Sequence, residues 1–188
     1  MLYDNIGGAK GPVPAPAGRP PVPEYAPFPP PTPIAAMPRL QTDDVRITQT
    51  QEVISPAALA RDVPVSERAA QTVYYARQAV QKVLRGEDDR LIVVVGPCSI
   101  HDVEVARDFA GRLKPLINAL SERLLIVMRV YFEKPRTTVG WKGLINDPGL
   151  DESFRINDGL HVARRLLVDL NEMGVPCGSE FLDPITPA

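Results

Sequence analysis

The sequence has only two cysteines, Cys98 and Cys177, among its 188 residues. Two cysteines cannot form a disulfide framework, so we interpret both as free thiols in a reducing compartment. No apolar run approaches the roughly 18 residues of a membrane-spanning helix, and the N-terminus lacks the basic start and apolar stretch of a secretory signal. We therefore expect a cytoplasmic protein that does not cross a membrane.

An excess of charge of one sign is also absent. The chain carries 21 basic and 23 acidic side chains, a formal net charge of -2, whereas domains that bind nucleic acid are usually strongly basic. We therefore expect no nucleic acid partner. Hydrophobic residues make up 44% of the chain, which is typical of a soluble globular protein with one core of ordinary domain size.

Proline is abundant and unevenly distributed, because 12 of the 21 prolines lie in residues 1–40. Proline lacks an amide donor and fixes φ, so this segment cannot hold a helix or an interior strand. Extended polyproline II conformations are expected instead. We interpret residues 1–40 as a disordered tail, and the alternative is a ligand for a proline-recognition module.

Beyond the tail, residues 41–65 resemble a connector in which only residues 43–47 alternate like a short strand. A helix is predicted from its N-cap at Ser66 to Arg85. Strands are then predicted at 91–95, 124–130 and 175–181, with helices at 102–122 and 157–173. The apolar run 91–95 is typical of a strand buried on both faces. Alternating strands and helices indicate a parallel sheet with right-handed crossovers.

The number of residues bears on the architecture. A (β/α)₈ barrel takes about 250 residues, or roughly 31 for each unit, so residues 91–188 have room for about three units. An open sheet of three buried strands would leave an apolar edge unpaired. We therefore predict an α/β fold in which residues 91–188 are the first three strands of a (β/α)₈ TIM barrel, preceded by an N-terminal arm and helix (41–90). The alternative is a small, unusual α/β domain.

Ligands of α/β proteins gather at the carboxyl ends of parallel strands. Cys98 follows the first predicted strand, where its thiol could bind a metal ion or act as a nucleophile. It could equally be a packed cysteine, with His101 and Asp102 merely opening the next helix. The local residues leave both readings open. Cys177 lies inside the third predicted strand, and we interpret it as a core residue.

The segment after the second predicted strand is basic. Its cations, set against the single acid Glu133, are Arg129, Lys134, Arg136 and Lys142. Arginine binds carboxylate and phosphate groups with two parallel hydrogen bonds. We favour an anion site over a solvated basic loop, because Arg129 ends an apolar strand, where an unpaired charge is costly. Gly140 and Gly143 flank the only tryptophan, as in a shaped loop.

Two carboxylates follow the third predicted strand, Glu180 and Asp183. A carboxylate that points into a cationic mouth could position a water molecule or balance the charge of the arginines. The alternative is an ordinary ion pair with one of the same cations. Both readings stay open on the residues alone.

Three segments make the sequence resemble a known family. They are GPCSIHD at 96–102, MRVYFEKPRTTVGWKG at 128–143 and LINDP at 144–148. They are similar to segments of the type I 3-deoxy-D-arabino-heptulosonate 7-phosphate (DAHP) synthases. The resemblance covers residues 43–188 and excludes the proline-rich residues 1–40. It implies a (β/α)₈ barrel that condenses phosphoenolpyruvate with erythrose 4-phosphate, the first step of the shikimate pathway, and that requires a divalent metal ion (Mn, Fe, Co or Zn).

The resemblance also implies roles for single residues. Cys98 would be a metal ligand, Arg129 and Lys134 would hold phosphoenolpyruvate, and Arg136 with Thr137 would hold the phosphate of erythrose 4-phosphate. Lys134 and Glu180 would be catalytic, with Glu180 beside the metal where a water is positioned for attack. An aromatic amino acid effector would contact Asp43, Asp44 and the segment from Asp183 to Pro187. The arm carrying the first two would come from a neighbouring subunit, which implies a homo-oligomer at full length.

The family's other metal ligands, a histidine, a glutamate and an aspartate, lie beyond the third strand. We therefore expect the 188 residues alone to be inactive and marginally folded, as the N-terminal half of a longer synthase. The alternative is a non-catalytic fragment that binds an aromatic amino acid or a full-length synthase subunit. An unrelated nucleotide-binding domain is disfavoured, because Pro97 and Cys98 stand where a glycine-rich phosphate loop is needed.

Overall fold

A computed structural model of the chain describes residues 42–47, 49–136 and 138–182. The predicted tail and three predicted site residues, Thr137, Asp183 and Pro187, lie outside the described residues. The chain divides into two compact units, residues 1–49 and 50–188. In the part that the structure describes, no helix combines the length and the apolar character needed to span a membrane.

In the first unit, the described residues 42–47 form a turn. The amide of Ile47 donates to the carbonyl of Asp44 at 3.0 Å, and Asp44 has a φ of 54°. The prediction of a short strand at 43–47 was wrong. A residue in the left-handed region turns the chain, whereas a strand needs extended dihedral angles throughout.

The described part of the second unit contains four helices and three strands. In chain order they are α1 (Pro56–Asp62), α2 (Glu67–Leu84), β1 (Leu91–Val95), α3 (Val103–Ala119), β2 (Leu124–Arg129), α4 (Ile156–Glu172) and β3 (Cys177–Gly178). The predicted positions of α2, β1, α3, β2 and α4 are confirmed to within three residues. Side-chain caps fix two helix starts, since Ser66 accepts the amide of Ala69 at 3.1 Å and Asp102 accepts that of Glu104 at 2.8 Å.

The three strands form one parallel sheet in the order β1-β2-β3. Leu91 lies opposite Leu124, and Val95 lies opposite Met128, which is also opposite Cys177 in β3. The strand β2 is therefore central. Because all three strands run the same way, their carboxyl ends lie at the same edge of the sheet.

Two strand predictions need correction. β1 was predicted to be buried on both faces, but Leu91 is 66% exposed and Val94 58% exposed. It is the edge strand of the described sheet, with a strand on one side only. β3 was predicted at 175–181, but its pairing with β2 is confined to Cys177–Gly178. The carbonyl of Gly178 accepts the amide of Val130 at 2.9 Å, and the chain leaves β2 after this residue.

The helix α1 lies in the segment that was predicted to be a connector. Ser55 caps it and Pro56 occupies its first position, where a missing amide costs nothing. It is held to α4 of the same unit, because Asp62 Oδ2 lies 3.1 Å from His161 Nε2 and Arg164 Nε donates to the carbonyl of Val63 at 2.8 Å. Seven residues are too few for a clear helical period, so the pattern alone did not reveal it.

The hydrophobic core lies between the sheet and helices α3 and α4. Its completely buried side chains include Ala110, Met128, Val130, Leu166, Leu170 and Val175. The helix α4 also contacts the loop before it directly by backbone. A Cβ atom on Gly159 would lie 2.1 Å from the carbonyl oxygen of Ile145, so this position accepts only glycine without movement.

The contact between α1 and α4 predicts a pH-dependent stability. The carbonyl of Asn157 and the carboxylate of Asp62 raise the pKa of His161 above its usual value, so folding favours the protonated ring. The stabilisation is complete below the ordinary histidine pKa of about 6.5 and is lost as the pH rises through the folded pKa. We expect His161→Ala to lower the free energy of unfolding more at pH 5.5 than at pH 8.5.

The pair is partly exposed, so the extra loss at low pH should be below about 1 kcal/mol. Urea denaturation followed by circular dichroism at both pH values measures it. Asp62→Asn should remove the part of the pH dependence that the carboxylate contributes and leave the part that comes from the carbonyl of Asn157. A larger loss for His161→Ala at pH 8.5 than at pH 5.5 would contradict this assignment.

Candidate active site at the carboxyl ends of the strands

The segments that follow β1 and β3 both form hydrogen bonds with the residues that continue β2. We call residues 130–133 the β2 extension. The amide of Ile100, after β1, donates to the carbonyl of Tyr131 at 2.8 Å, and the amide of Leu182, after β3, donates to Glu133 Oε2 at 3.2 Å. The three polar segments predicted from sequence are therefore brought together at one edge of the sheet.

The segments after β1 and β2 also contact each other through side chains. Cys98 is exposed, and Lys134 Nζ lies 3.4 Å from its sulfur. The backbone before Cys98 runs close to β2, because a Cβ atom on Gly96 would lie only 2.5 Å from the carbonyl oxygen of Arg129. The thiol, the ammonium and the arginine predicted to share a site therefore belong to directly contacting segments.

Arg129 ends β2 in an unusual environment. Its side chain is partly buried, and the central carbon of its guanidinium lies 4.0 Å from the centre of the Tyr131 ring. Residues two apart on an extended chain share a face, which explains the stacking. The Arg129 Nε atom is buried and has no hydrogen-bond partner among the described residues. Stacking engages the face of the guanidinium and leaves its in-plane donors for an anion.

The basic segment is closed at its base. The amide of Lys134 donates to the carbonyl of Lys142 at 2.9 Å, and Glu133 pairs with Gly143 in an antiparallel bridge. Gly143 has a φ of 111°, and a Cβ atom there would lie 2.0 Å from the carbonyl oxygen of Phe132. No other residue fits that approach without displacement. The predicted shaped loop is thus fixed where it leaves and rejoins the β2 extension.

Trp141 secures the far side of the same segment. Its indole Nε1 donates to the carbonyl of Asp147 at 2.8 Å. Arg136 is exposed, and its amide donates to the carbonyl of Lys134 at 2.8 Å. The side chain of Arg136 lies next to Gly140 of the same loop, because a Cβ atom on Gly140 would lie 3.5 Å from Arg136 Nε.

Glu180 follows β3 and is partly buried. The alternative of an ordinary ion pair is not what the structure shows, because the ion pairs formed among the described residues involve other carboxylates. Asp43 and Asp44 lie in the first unit, where they belong to the turn at 42–47.

Two polar residues near the site have structural roles. Asp102 caps α3 by accepting the amides of Glu104 and Val105. Cys177 donates its thiol proton to the carbonyl of Val175, with the sulfur 3.3 Å from the oxygen, and burial raises the pKa of this thiol to about 12. A thiol that stays protonated at neutral pH is a poor nucleophile and metal ligand, so the interpretation of Cys177 as a core residue is confirmed.

The described residues do not by themselves fit a divalent metal centre. No three His, Cys, Asp or Glu side chains of the described part of the chain lie together in a way that could hold a metal ion. Cys98 could therefore provide only one of the ligands of such a centre. Stable sites of this kind need several ligands.

Two residues important to this geometry were not singled out from the sequence. Tyr131 stacks on Arg129, and Glu133 is buried although it lies among cations. The spacing of two residues between Arg129 and Tyr131 is a signal that could have revealed the stacking. The burial of Glu133 had no local signal, because it depends on the amide of Leu182, 49 residues further along the chain.

Comparison with known proteins agrees with this geometry. Residues 62–188 match the model of the DAHP synthetase I family. The Phe-sensitive phospho-2-dehydro-3-deoxyheptonate aldolase of Escherichia coli K12 is 59% identical over 147 residues, which is 78% of this chain and 42% of that protein. The phospho-2-dehydro-3-deoxyheptonate aldolase of Amycolatopsis methanolica is 53% identical over 145 residues, or 77% of this chain and 71% of that protein.

A Trp-sensitive relative from Escherichia coli K12 is 51% identical over 146 residues. Among solved structures, the phospho-2-dehydro-3-deoxyheptonate aldolase of Francisella tularensis SCHU S4 superimposes with a TM-score of 0.72 at 50% identity, covering 75% of this chain and 41% of that one. The chain spans about two fifths of the length of several of these relatives. The family match over residues 62–188, together with these identities, shows that the chain belongs to the DAHP synthetase I family.

Proposed function

We propose that this chain supplies the substrate-anion site of a DAHP synthase, which condenses phosphoenolpyruvate with erythrose 4-phosphate. The observation that carries the proposal is Arg129, whose buried Nε has no hydrogen-bond partner among the described residues while its guanidinium is held against Tyr131. A buried donor without a partner is costly, and an anionic ligand would satisfy it. Membership of the family supplies the identity of the anion.

In this proposal Arg129 and Lys134 bind phosphoenolpyruvate. Arginine suits a carboxylate or phosphate because its donors form a rigid fork, and lysine adds a mobile positive charge. Arg136 and Thr137 bind the phosphate of erythrose 4-phosphate. The exposed position of Arg136, beyond Lys134, supports a second anion position further from the sheet.

The chemistry follows from those positions. A carbon–carbon bond forms between the methylene carbon of phosphoenolpyruvate and the aldehyde carbon of erythrose 4-phosphate, as the carbon–carbon double bond of the first and the carbon–oxygen double bond of the second become single bonds. Lys134 donates a proton to the aldehyde oxygen as that bond forms. Glu180 positions the water that adds to the carbon bearing the phosphate group, which then leaves as inorganic phosphate.

We propose Cys98 as one ligand of a divalent metal ion, whether Mn, Fe, Co or Zn. The exposed thiol could provide one ligand, and a soft thiolate leaves the choice among these ions open. The described residues do not form a complete metal centre, so the remaining ligands would come from outside them.

The larger architecture is also proposed. We infer that the three parallel strands are the first three of a (β/α)₈ barrel in residues 91–188, after an arm and helix at 41–90 and a tail at 1–40. The exposed apolar side chains of the edge strand β1, among them Leu91 and Val94, support further strands beside it.

Regulation is proposed from the relatives' names, two of which are Phe-sensitive and Trp-sensitive. An aromatic amino acid would bind Asp43 and Asp44 on the arm of a neighbouring subunit, together with residues from Asp183 to Pro187. That arrangement requires a homo-oligomer.

The anion site predicts an effect on affinity. Arg129→Ala should weaken phosphoenolpyruvate binding about 10- to 100-fold, because hydrogen bonds to charged groups contribute roughly 1.5–3 kcal/mol. Arg129→Lys should recover only part of the loss, since lysine cannot form the paired contact. Isothermal titration calorimetry measures the dissociation constants. Arg112→Ala, an exposed position on α3, is the control, and equal affinity for Arg129→Ala and wild type would refute the site.

The two thiols should differ in reactivity. A disulfide reagent such as Ellman's should modify one thiol of the folded chain at pH 8, because Cys98 is exposed while burial raises the pKa of Cys177 to about 12. Cys98→Ala should abolish the fast reaction and Cys177→Ala should preserve it. Phosphoenolpyruvate should slow the modification of Cys98 by occupying the space beside Lys134. Fast labelling of Cys177 in the folded chain would overturn this assignment.

Catalysis is expected only when the rest of a synthase is present. We expect a fusion of this chain to the C-terminal part of the Escherichia coli Phe-sensitive relative to consume phosphoenolpyruvate and erythrose 4-phosphate. In the fusion, Lys134→Ala should lower kcat by about 10²- to 10⁴-fold, the usual effect of removing a general acid. Lys82→Ala on the surface of α2 is the control. A folded fusion that forms no product would disprove the proposed function.

A further inference from the structure

Glu133 is a buried carboxylate that the proposed chemistry does not use. It is only 3% exposed, and the ion pairs formed among the described residues do not include it. Its Oε2 accepts one hydrogen bond, from the backbone amide of Leu182 at 3.2 Å. Burying a carboxylate without an opposite charge is unfavourable, and among the described residues one hydrogen bond, from the amide of Leu182, offsets this cost.

That contact joins the two halves of the candidate site. Glu133 immediately precedes Lys134, whose ammonium reaches Cys98, and its backbone is fixed by the bridge to Gly143. Leu182 lies two residues after Glu180. One side chain therefore fixes the spacing between the segment that carries the lysine and the segment that carries the glutamate. Among the described residues, the backbone hydrogen bonds between these two segments end with the one from the amide of Val130 to the carbonyl of Gly178.

We propose that Glu133 is a positioning residue that holds residues 179–182 against the basic segment and so sets the affinity of the anion site. The proposal rests on the proposed function and names the residue that sets the spacing within that site.

The hydrogen bond itself can be tested without any ligand. Hydrogen–deuterium exchange of the Leu182 amide should be slow in the wild-type chain and in Glu133→Gln, whose side-chain carbonyl still accepts. It should be faster in Glu133→Ala, by about 5- to 100-fold. Glu122→Ala, an exposed glutamate just before β2, is the matched control.

The coupling to the anion site is tested by titrating phosphoenolpyruvate, with the fluorescence of Trp141, the only tryptophan, as the signal. Glu133→Ala should weaken binding by about 5- to 100-fold, and Glu133→Gln should stay within about twofold of wild type. Leu182→Pro, which deletes the donor, should weaken binding similarly, and the double variant should be no weaker than either single one. Leu182→Ala keeps the amide and should bind normally.

The outcomes separate the two proposals. Fast exchange in Glu133→Ala with unchanged phosphoenolpyruvate affinity overturns the positioning role. An equal loss of phosphoenolpyruvate affinity in Glu133→Gln and Glu133→Ala also overturns it, when all variants unfold at the same urea concentration. If the wild-type chain binds no phosphoenolpyruvate, the proposed function fails and the coupling fails with it. Exchange at Leu182 still decides in that case whether Glu133 holds the segment.

Discussion

The hydrogen bonds made by the β2 extension, residues 130–133, hold the segments that follow β1 and β3 at the same edge of the sheet. The extension accepts an amide from the segment after β1, donates one to the carbonyl of Gly178 in β3, and accepts the amide of Leu182 through Glu133. Its own side chains at 130, 132 and 133 are buried. A buried backbone with satisfied hydrogen bonds is rigid, so the flanking polar residues are held by a fixed frame rather than by their own contacts.

This frame explains how a short stretch of sequence brings together groups of different chemistry. Arg129 stands just before the extension and Lys134 just after it. The backbone next to Lys134 is fixed by the antiparallel bridge between Glu133 and Gly143. The arginine is then stacked on Tyr131 while the lysine reaches the thiol of Cys98. The same frame places Glu180 within two residues of an anchored amide.

Much of the fold could be predicted from the sequence because its signals are local. Apolar runs and capping residues located α2, β1, α3, β2 and α4, and serine and aspartate caps act within three residues. The failures depend on what lies far away in the chain. The exposure of Leu91 depends on which strands stand beside β1, and the length of β3 depends on how long β2 accompanies it. The helix α1 is stabilised by α4, about one hundred residues later.

The site shows the same division. A cation at the end of an apolar strand and a thiol at the tip of another are visible in the sequence, and the structure brings Arg129, Lys134 and Cys98 into contacting segments. The burial of Glu133 and the unpartnered Nε of Arg129 could not be predicted, because each depends on whether a distant group supplies a partner. The roles of single residues in catalysis remain proposals that family resemblance supports.

The close approach of Gly159 to Ile145 has a consequence for how this region tolerates change in length. The start of α4 rests directly on the backbone of the preceding loop, and Gly143 rests in the same way on Phe132. Residues 143–159 are thus held near each end by a contact between two backbone segments. In neither contact does the glycine have a side chain that could adjust. Surface loops usually accept inserted residues, but here an insertion close to either glycine would break a contact that no repacking of side chains could restore. Variation in length should therefore fall at the exposed residues 149–155, midway between the two contacts.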